Sequence, residues 1–314
     1  MASSQLYRRA LPASARITHW AAPDGWRLRR FDWPAAGNGK GNILFQGGRG
    51  DIPEKYLELF AHWHGRGWSI TSFDWRGQGG SGRLTADATT GHIDDFAIYI
   101  DDLVSFFAEW EAEVKGPKIF IGHSMGAHLL LRATSEGALA PDALVLVAPM
   151  LGLHSPMGAM FGEWAARLLG GVGDSSRPAW KTNEKPGTKV SRQALLTHDL
   201  GRYADEAWWQ SAKPELLTGP PSWRWVIEAF RSTREQRANP ALARLKLPIL
   251  MVLPMADQLV DAKAALQVGA KLPDVRIVKF GDEAAHEVLR ELDPVRNRAI
   301  AEIDIFLAAR VLKA

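Results

Sequence analysis

The sequence contains no cysteine and no long apolar run. The lack of cysteine excludes a disulfide framework, a thiolate metal site and a cysteine nucleophile. Because no stretch of about eighteen consecutive apolar residues is present, we expect no membrane-spanning helix. Residues 1–16 also lack the apolar core of a signal peptide. These absences predict a soluble, cytoplasmic protein whose contact with the inner membrane is at most peripheral.

Positive and negative side chains are nearly equal in number, and the formal net charge is only +3. An imbalance this small gives no argument for nucleic-acid binding. Residues 151–240 contain 12 Lys and Arg against 9 Asp and Glu, and the rest of the chain is balanced. A solvated helical surface is the ordinary explanation for such a segment. Attraction to anionic lipid headgroups, and so a transient contact with a membrane surface, is the alternative.

Strand-like and helix-like segments alternate along most of the 314 residues. An amphipathic helix is predicted over residues 94–114, and a last helix over roughly 294–312. Short apolar runs predict buried strands at GNILF, WSITSF, KIFI, ALVLV, LPILMVL and VRIVKF. The alternation predicts an α/β fold, in which helices cover both faces of a mostly parallel central sheet.

Residues 151–240 interrupt this alternation, because they lack a convincing strand. They contain six of the thirteen tryptophans. A segment of this length without sheet predicts a helical insertion. Open α/β sheets bind ligands at the carboxyl edge of their strands, so we expect the insertion to be a cap over that edge. The core then consists of residues 1–150 and 241–314.

The clearest chemical motif is Gly122-His123-Ser124-Met125-Gly126. A serine hydroxyl is a weak nucleophile unless it is presented openly and a base removes its proton. Glycines two residues before and after the serine permit the close backbone contacts of a sharp strand-to-helix turn. The flanking segments KIFI and AHLLLRA predict that strand and that helix. We therefore predict that Ser124 is the nucleophile; an ordinary glycine-rich turn is the alternative.

The base is identified by elimination. In hydrolases with this turn, the order along the chain is serine, acid, histidine. The histidines that follow the turn and its helix are His154, His198 and His286. The first two lie in the insertion, whereas His286 follows the strand VRIVKF, so we predict His286 as the base. We expect His123 to point away from the serine and His128 to belong to the helix.

Three aspartates are candidates for the acid, which holds the imidazole in the right tautomer and stabilises its protonated form. Asp257 directly follows the strand ILMVL and is the predicted acid. Asp261, further along, fits the first turn of a helix, where its charge complements the helix dipole. Asp282 lies on the loop that carries His286 and is the main competitor.

A tetrahedral oxyanion requires two backbone donors fixed in advance. The N–H of Met125, next to the nucleophile, is one candidate. The other is expected in the glycine-rich loop at residues 47–51. A phosphate-binding loop is the alternative for these glycines, but the stretch lacks the Lys-Ser/Thr ending and the GxGxxG spacing.

Four segments together resemble the lysophospholipase and monoacylglycerol lipase branch of the α/β-hydrolases, also called the serine aminopeptidase S33 or Hydrolase_4 type. GHSMG at 122–126 resembles its nucleophile turn, and FDWRGQGGS at 73–81 its D-x-R-G-x-G-x-S loop. DQLV at 257–260 resembles its acid motif, and AHEVLRE at 285–291 its base segment. The resemblance implies an α/β-hydrolase fold with a cap and an acyl-enzyme mechanism that uses no metal or organic cofactor.

The family often has H-G-x-G-E in the oxyanion loop, where this chain has Gly47-Gly48-Arg49-Gly50-Asp51. Matching the two implies that the backbone N–H of Arg49 is the second oxyanion donor and places Gly48 against the substrate. The side chain of Arg49 is also able to reach a phosphate or carboxylate on the substrate. This chain has Gly47 where the family has its histidine, so only the two glycines and the final acidic position match here.

The tryptophans of the insertion are the direct clue to the substrate. We predict that Trp164, Trp208 and Trp209 contact an acyl chain, because aromatic side chains provide large apolar area with few rotatable bonds. The alternative is that they pack a small core within the cap. A single-chain lipid, either a lysophospholipid or a monoacylglycerol, is the first choice of substrate.

The sequence is also compatible with three other functions. A carboxylesterase acting on small esters is the second choice. An aminopeptidase acting on proline-terminated peptides would need an acid to hold the free amine, for which Glu163, Asp199 or Glu206 is available. A ligand-binding receptor of the same fold is the non-enzymatic alternative, although such proteins have a broken triad.

Overall fold

The computed structural model describes residues 8–37, 39–154, 159–181 and 190–312. Eight strands form one sheet at the centre of the protein. In chain order they are β1 (Arg16–Ala21), β2 (Arg27–Trp33), β3 (Gly41–Gln46), β4 (Trp68–Phe73), β5 (Lys118–His123), β6 (Ala143–Val147), β7 (Ile249–Pro254) and β8 (Val275–Phe280).

The sheet is mostly parallel, as the sequence predicted. Its strand order is β1-β2-β4-β3-β5-β6-β7-β8. Only the β1–β2 and β2–β4 pairs are antiparallel. All other pairs, from β4–β3 to β7–β8, are parallel. The strands β3, β6 and β7 are buried along their whole length, which is why their sequences are continuous apolar runs rather than alternating ones.

Helices cover both faces of the sheet. In chain order they are α1 (Leu57–His64), α2 (Phe96–Glu113), α3 (Met125–Ser135), α4 (Ala159–Gly170), α5 (Arg192–Leu196), α6 (Leu200–Ala212), α7 (Trp223–Ala238), α8 (Ala262–Gly269) and α9 (Asp293–Arg310). The helices α2 and α9 confirm the helices predicted near residues 94–114 and 294–312. Short 3₁₀ helices occur at Pro53–Tyr56, Pro214–Leu216, Pro240–Arg244 and Val288–Arg290.

Alternate side chains of each strand belong to two separate apolar layers. On β5, Phe120 packs with the layer that contains α2 and α3. Its neighbours Ile119 and Ile121 pack with the opposite layer, which contains α1 and α9. This division follows from the period of two along a strand. It also fixes the direction of every side chain near the carboxyl end of β5, where the predicted nucleophile lies.

The helices α4 to α7 lie between β6 and β7, and no strand occurs there within residues 159–181 and 190–240. Two of these helices pack directly on the rest of the protein. From α7, the ring of Trp225 packs at a tilt against that of Phe96, with ring centroids 5.6 Å apart. From α6, Arg202 donates two hydrogen bonds of 2.8 Å to the carboxylate of Glu58. The helical character predicted for this segment is therefore present, while its division from the core at residues 151 and 240 stays a prediction.

Along the described residues, no helix is both long enough and apolar enough to cross a bilayer.

Candidate active site

Ser124 lies on a sharp turn between β5 and α3. Its backbone has φ 52° and ψ −115°, a strained conformation for a residue with a side chain. A Cβ added to Gly122 would lie 2.5 Å from Ala127 Cα, and one added to Gly126 would overlap the carbonyl oxygen of Gln46. Only glycine fits at either position, so the turn needs the spacing that the sequence shows.

The structure brings the predicted acid and base together. Asp257 follows β7, and His286 lies on the loop after β8. The Oδ2 atom of Asp257 is 2.6 Å from Nδ1 of His286, and both side chains are buried. The other carboxylate oxygen, Oδ1, accepts hydrogen bonds from the amides of Leu259 (2.7 Å) and Val260 (3.1 Å). Asp257 is thus held in place on both sides.

Ser124 and His286 line the same cavity. Asp282, the competing acid, lines a second cavity together with Asp257 and His198, so the cavities do not separate the two acids. The contact of 2.6 Å with Nδ1 of His286 is made by Asp257. Asp261 caps α8 instead, since its Oδ1 accepts hydrogen bonds from the amides of Lys263 and Ala264. The geometry therefore favours Asp257 as the partner of His286, as the sequence predicted, and the catalytic roles of these residues remain a proposal.

Asp257 also changes the proton affinity of the base. Burial alone would lower the pKa of His286, because it disfavours the charged ring. The negative charge of Asp257 and its hydrogen bond outweigh this effect and raise the pKa above the ordinary value. The carboxylates of Glu287 and Asp51 add to the rise. A base with a raised pKa accepts the serine proton more readily, provided that the pH is high enough to keep it neutral.

The predicted oxyanion loop lies against the nucleophile. A Cβ added to Gly48 would be 3.0 Å from Ser124 Cβ, which shows how close the two backbones are. The amide of Gly48 donates to Asp51 Oδ2 (2.7 Å), and the amide of Gly50 donates to Gln78 Oε1 (2.6 Å). These bonds fix the loop on either side of Arg49.

Arg49 and Met125, the predicted oxyanion donors, both line the cavity beside the nucleophile. Met125 is the first residue of α3, where backbone N–H groups have no partner within the helix. An N–H at that position is oriented for an anion. The assignment of both donors remains a proposal that this placement supports.

His123 does not point away from the site, so that expectation was wrong. Its ring centroid is 4.8 Å from that of His286, and its Nε2 is 3.3 Å from the carbonyl oxygen of His286. Its Nδ1 is 3.1 Å from Asp51 Oδ2 and 3.0 Å from the hydroxyl of Tyr56. The cause is strand alternation: His123 shares a face with Ile121, and the loop that carries His286 covers that face.

A buried charge cluster, which sequence reasoning missed, adjoins the site. The ammonium of Lys55 is 2.6 Å from Asp51, 3.0 Å from Glu206 and 2.5 Å from Glu287. Arg290 contributes a second cation beside Glu287. Burial opposes the charge on Lys55, but the three carboxylates outweigh it and raise its pKa. The sequence signal was present only as Lys55 four residues after Asp51, since Glu206 and Glu287 are distant along the chain.

The cavity has a volume of about 360 Å³. Much of its wall consists of apolar side chains from α5 and α7, namely Leu195, Leu196, Trp225, Val226 and Phe230. The polar part contains the predicted site residues together with charged side chains. His154, which the sequence analysis set aside because it lies in the insertion, is on this wall too.

The structure does not place the three predicted tryptophans on this wall; the tryptophans found there are Trp180 and Trp225. Trp164 lies on α4 with 57% of its surface exposed. Trp209 is buried and donates from Nε1 to the carbonyl oxygen of Arg8 (3.0 Å), and Trp208 packs against it edge to face at 5.0 Å. The side of α6 that carries this pair packs toward the N-terminal segment rather than toward the cavity.

Among the described residues, no group of three or more histidine, aspartate or glutamate side chains is arranged to hold a metal ion.

Residues 37–293 match the protein family described as serine aminopeptidase, S33 (Hydrolase_4). Two curated relatives are similar over most of their length. "Lysophospholipase L2" of Escherichia coli K12 is 29% identical over 279 residues, which are 82% of this chain and 78% of the relative. "Monoglyceride lipase" of Mus musculus is 23% identical over 300 residues, or 95% of this chain and 92% of the relative.

Solved structures show the same fold. A soluble variant of monoglyceride lipase from Saccharomyces cerevisiae, in complex with a substrate analog, superposes with a TM-score of 0.76. The match covers 96% of this chain and 97% of that chain at 18% sequence identity. At such low identity the likeness shows the fold alone, and it agrees with the predicted sheet and helices.

We predict that Asp257→Asn lowers kcat by about 10⁴-fold, because the amide no longer holds His286 in the right tautomer or stabilises its charged form. Asp282→Asn removes the same charge close by and is the matched control, for which we expect turnover close to that of wild type. Both are measured by steady-state hydrolysis of a soluble p-nitrophenyl ester. A larger loss in Asp282→Asn would show that the acid was assigned wrongly.

The acidic limb of the kcat/KM profile should lie above pH 6.5, the ordinary value for histidine. The base works only when neutral, so activity falls as the pH drops through its raised pKa. The residual activity of Asp257→Asn should show the limb at lower pH, because the charge that raises the pKa is gone. A wild-type limb at or below pH 6.5 would contradict this account of His286.

Proposed function

The chain belongs to the serine aminopeptidase S33 (Hydrolase_4) family, and from that membership we propose that it hydrolyses carboxylic esters of single-chain lipids. One observation carries the proposal. Ser124, on its strained turn, and His286, held by Asp257, line a single cavity whose remaining wall is largely apolar. A nucleophile and base that open onto an apolar cavity suit an ester with a long acyl chain.

In the proposed mechanism, the Oγ of Ser124 attacks the acyl carbonyl while Nε2 of His286 takes the serine proton. Asp257 stabilises the charged imidazole through Nδ1. The N–H groups of Arg49 and Met125 donate to the oxyanion. His286 then gives its proton to the leaving alcohol, which departs and leaves an acyl-enzyme. Water, deprotonated by the same histidine, releases the fatty acid and regenerates the serine.

The shape and lining of the cavity support a lipid rather than a small polar ester. A volume of about 360 Å³ is at the lower end of the range for ligand pockets, so it suits one chain better than two. Leu196, Val226 and Phe230 provide apolar contact without polar groups that would need partners. The curated relatives are named for lysophospholipids and monoglycerides, both of which carry a single acyl chain.

The aminopeptidase alternative is weaker, because the acids suggested for amine binding are already engaged. Glu206 pairs with Lys55 and Arg192. Asp199 caps α6 and pairs with Arg202. The third candidate, Glu163, forms ion pairs with two arginines of the same region. A free amine would have to displace one of these cations, and at Glu206, whose pair with Lys55 is buried, the displaced ammonium would lose a carboxylate partner.

We predict that Ser124→Ala and His286→Ala each lower ester turnover by at least about 1,000-fold, as removal of triad members does elsewhere. A fluorophosphonate probe should label the wild type but not Ser124→Ala. Turnover is measured on matched oleoyl esters and on p-nitrophenyl butyrate. Nearly intact activity in His286→Ala would refute the base. Absence of both labelling and turnover in folded wild type would favour the non-enzymatic receptor.

We also propose a transient contact with lipid surfaces through an apolar patch on and just after α4. The patch consists of Trp164, Leu168, Leu169 and Val172, each more than half exposed. Arg167, also exposed, lies within it and is able to approach an anionic headgroup. Exposed apolar side chains grouped on one helix beside a cation are typical of interfacial helices. The patch gives exposed Trp164 a role outside the cavity.

The double variant Leu168→Ser/Leu169→Ser should lower binding to vesicles of phosphatidylcholine and phosphatidylglycerol by about tenfold or more, because two apolar side chains no longer enter the bilayer surface. Ile305→Ser, at an exposed apolar position on α9, is the control and should bind like wild type. Sedimentation with sucrose-loaded vesicles measures the binding. Equal loss in the control, or none in the double variant, would contradict the proposed patch.

A further inference from the structure

We infer that Glu291 is a positioning residue for the proposed base. Its carboxylate fastens the loop that carries His286 to the helical segment between β6 and β7, and both of its oxygens are needed for this. The inference rests on the proposed ester hydrolysis at Ser124. Glu291 ends the segment 285–291 that resembles the family's base motif, yet it is not among the described residues that line the cavity. Its effect on the reaction is therefore exerted through His286.

Both ends of the base loop, defined as residues 285–292, are bonded to the carboxylate of Glu291. Its Oε1 accepts a 2.9 Å hydrogen bond from the amide of Ala285, the residue directly before the base. Its Oε2 accepts a 3.1 Å hydrogen bond from the amide of Leu292, which directly precedes α9. The side chain of Glu291 has no exposed surface. These bonds are therefore made away from water, where a carboxylate without partners would be costly.

The same carboxylate reaches the helical segment. The amide of His198, between α5 and α6, lies 3.2 Å from Oε1 and 3.1 Å from Oε2, and Nδ1 of its ring lies 3.0 Å from Oε1. From α6, Arg202 donates a 2.8 Å hydrogen bond to the backbone carbonyl oxygen of Glu291. Hydrogen bonds to a charged acceptor are stronger than those between neutral groups. Glu291 is thus bonded to the helical segment through both its side chain and its backbone.

The backbone of the base is itself paired with the end of α5. The amide of His286 donates to the carbonyl oxygen of Leu195 (3.3 Å), and the amide of Glu287 donates to that of Leu196 (2.7 Å). Residues 285–287 and 195–198 therefore lie side by side, and the carboxylate of Glu291 is bonded to both stretches. The helical segment forms part of the support of the base.

His286 is consequently placed by two sets of contacts. Asp257, 2.6 Å from Nδ1, sets the orientation of the ring. The hydrogen bonds of Glu291 and of α5 set the position of the backbone from which the ring extends. Proton transfer from Ser124 requires Nε2 within hydrogen-bonding reach, and a misplacement of about 1 Å costs a reaction on the order of 10²-fold. A loosened base loop should therefore slow the attack of the serine.

The variant Glu291→Gln keeps the size of the side chain but loses one of its two acceptors. The backbone amides of Ala285, His198 and Leu292 donate to the carboxylate, and each oxygen accepts from at least one of them. The amino group of the new amide is a donor and would face one of these N–H groups. A buried N–H without an acceptor is costly, so the loop would move away from this arrangement.

We expect Glu291→Gln to lower the second-order rate constant of fluorophosphonate labelling by about tenfold or more. This rate reports the attack of Ser124 assisted by His286 and does not depend on hydrolysis of an acyl-enzyme. Glu283→Gln is the matched control, because it removes the same charge from a half-exposed side chain on the loop after β8, and it should be labelled at the wild-type rate. All rates are measured well below the unfolding temperature of each variant, so that lower stability alone does not change them.

The pH dependence separates positioning from a merely structural role. Displacement of the base loop weakens the contact of His286 with Asp257, which raises the pKa of the ring in the wild type. The acidic limb of the labelling rate should therefore move to lower pH in Glu291→Gln, as the pKa of His286 falls toward its ordinary value. A residue with only a structural role would change the melting temperature and leave the limb in place.

Hydrogen exchange in the wild type provides a test that does not depend on the folding of Glu291→Gln. The amides of Ala285 and His198 donate to the same carboxylate, so they should open in one event and exchange within about threefold of each other. The amide of exposed Asp282, on the loop after β8, should exchange at least about 100-fold faster. Mass spectrometry of short peptic fragments, or NMR, measures the three rates.

Two results would overturn the inference. One is labelling of folded Glu291→Gln within about twofold of wild type with an unmoved acidic limb, or an equal loss of rate in Glu283→Gln. The other is exchange at Ala285 as fast as at Asp282. Failure of the proposed function is distinct, because wild type itself would then show neither labelling nor ester cleavage, while hydrogen exchange would still report the contacts of Glu291.

Discussion

The geometry around Ser124 depends on one buried interaction, the contact of the Lys55 ammonium with three carboxylates. Asp51 belongs to the predicted oxyanion loop, Glu287 directly follows His286, the proposed base, and Glu206 belongs to α6. These segments are far apart in sequence, and the Lys55 ammonium contacts all three, while Arg290 also contacts Glu206 and Glu287. Removing one member of such a buried cluster typically costs about 3–5 kcal/mol, because the charges left behind lose their partner. The cluster therefore specifies where the three segments meet.

Asp51 transmits this constraint to the backbone beside the nucleophile. While Oδ1 contacts Lys55, Oδ2 accepts hydrogen bonds from the amide of Gly48 and the hydroxyl of Tyr56. The loop that precedes Arg49 is thus fixed before a substrate binds. Donors fixed in advance need no reorganisation when charge develops on the substrate, which is the main source of their effect on rate. A glycine-rich loop without such an anchor would lose this advantage.

The sequence was sufficient for the fold and for the pairing of His286 with Asp257, because their signals are local. Apolar runs reveal buried strands, and the glycine spacing at 122–126 reflects contacts that no other residue permits. The side-chain directions at His123 and at the tryptophans of α6 were not predictable in this way. They depend on which segment covers a strand end, and on the rotation of a helix that no sheet fixes. The bond between Lys55 and Glu206 joins residues too distant to be paired from one sequence.

The attachment of the helical segment and the character of the cavity are connected through Glu206. This carboxylate binds Lys55 from the core and Arg192 at the cavity wall. The position of Arg192 is therefore set by the same contact that holds α6 against the core. Arg49, from the other side, reaches across to the carbonyl oxygen of Gly219. Both arginines therefore make contacts between the core and the helical segment. The loop that carries His286 does so as well, because the amides of His286 and Glu287 donate to the carbonyl oxygens of Leu195 and Leu196 on α5.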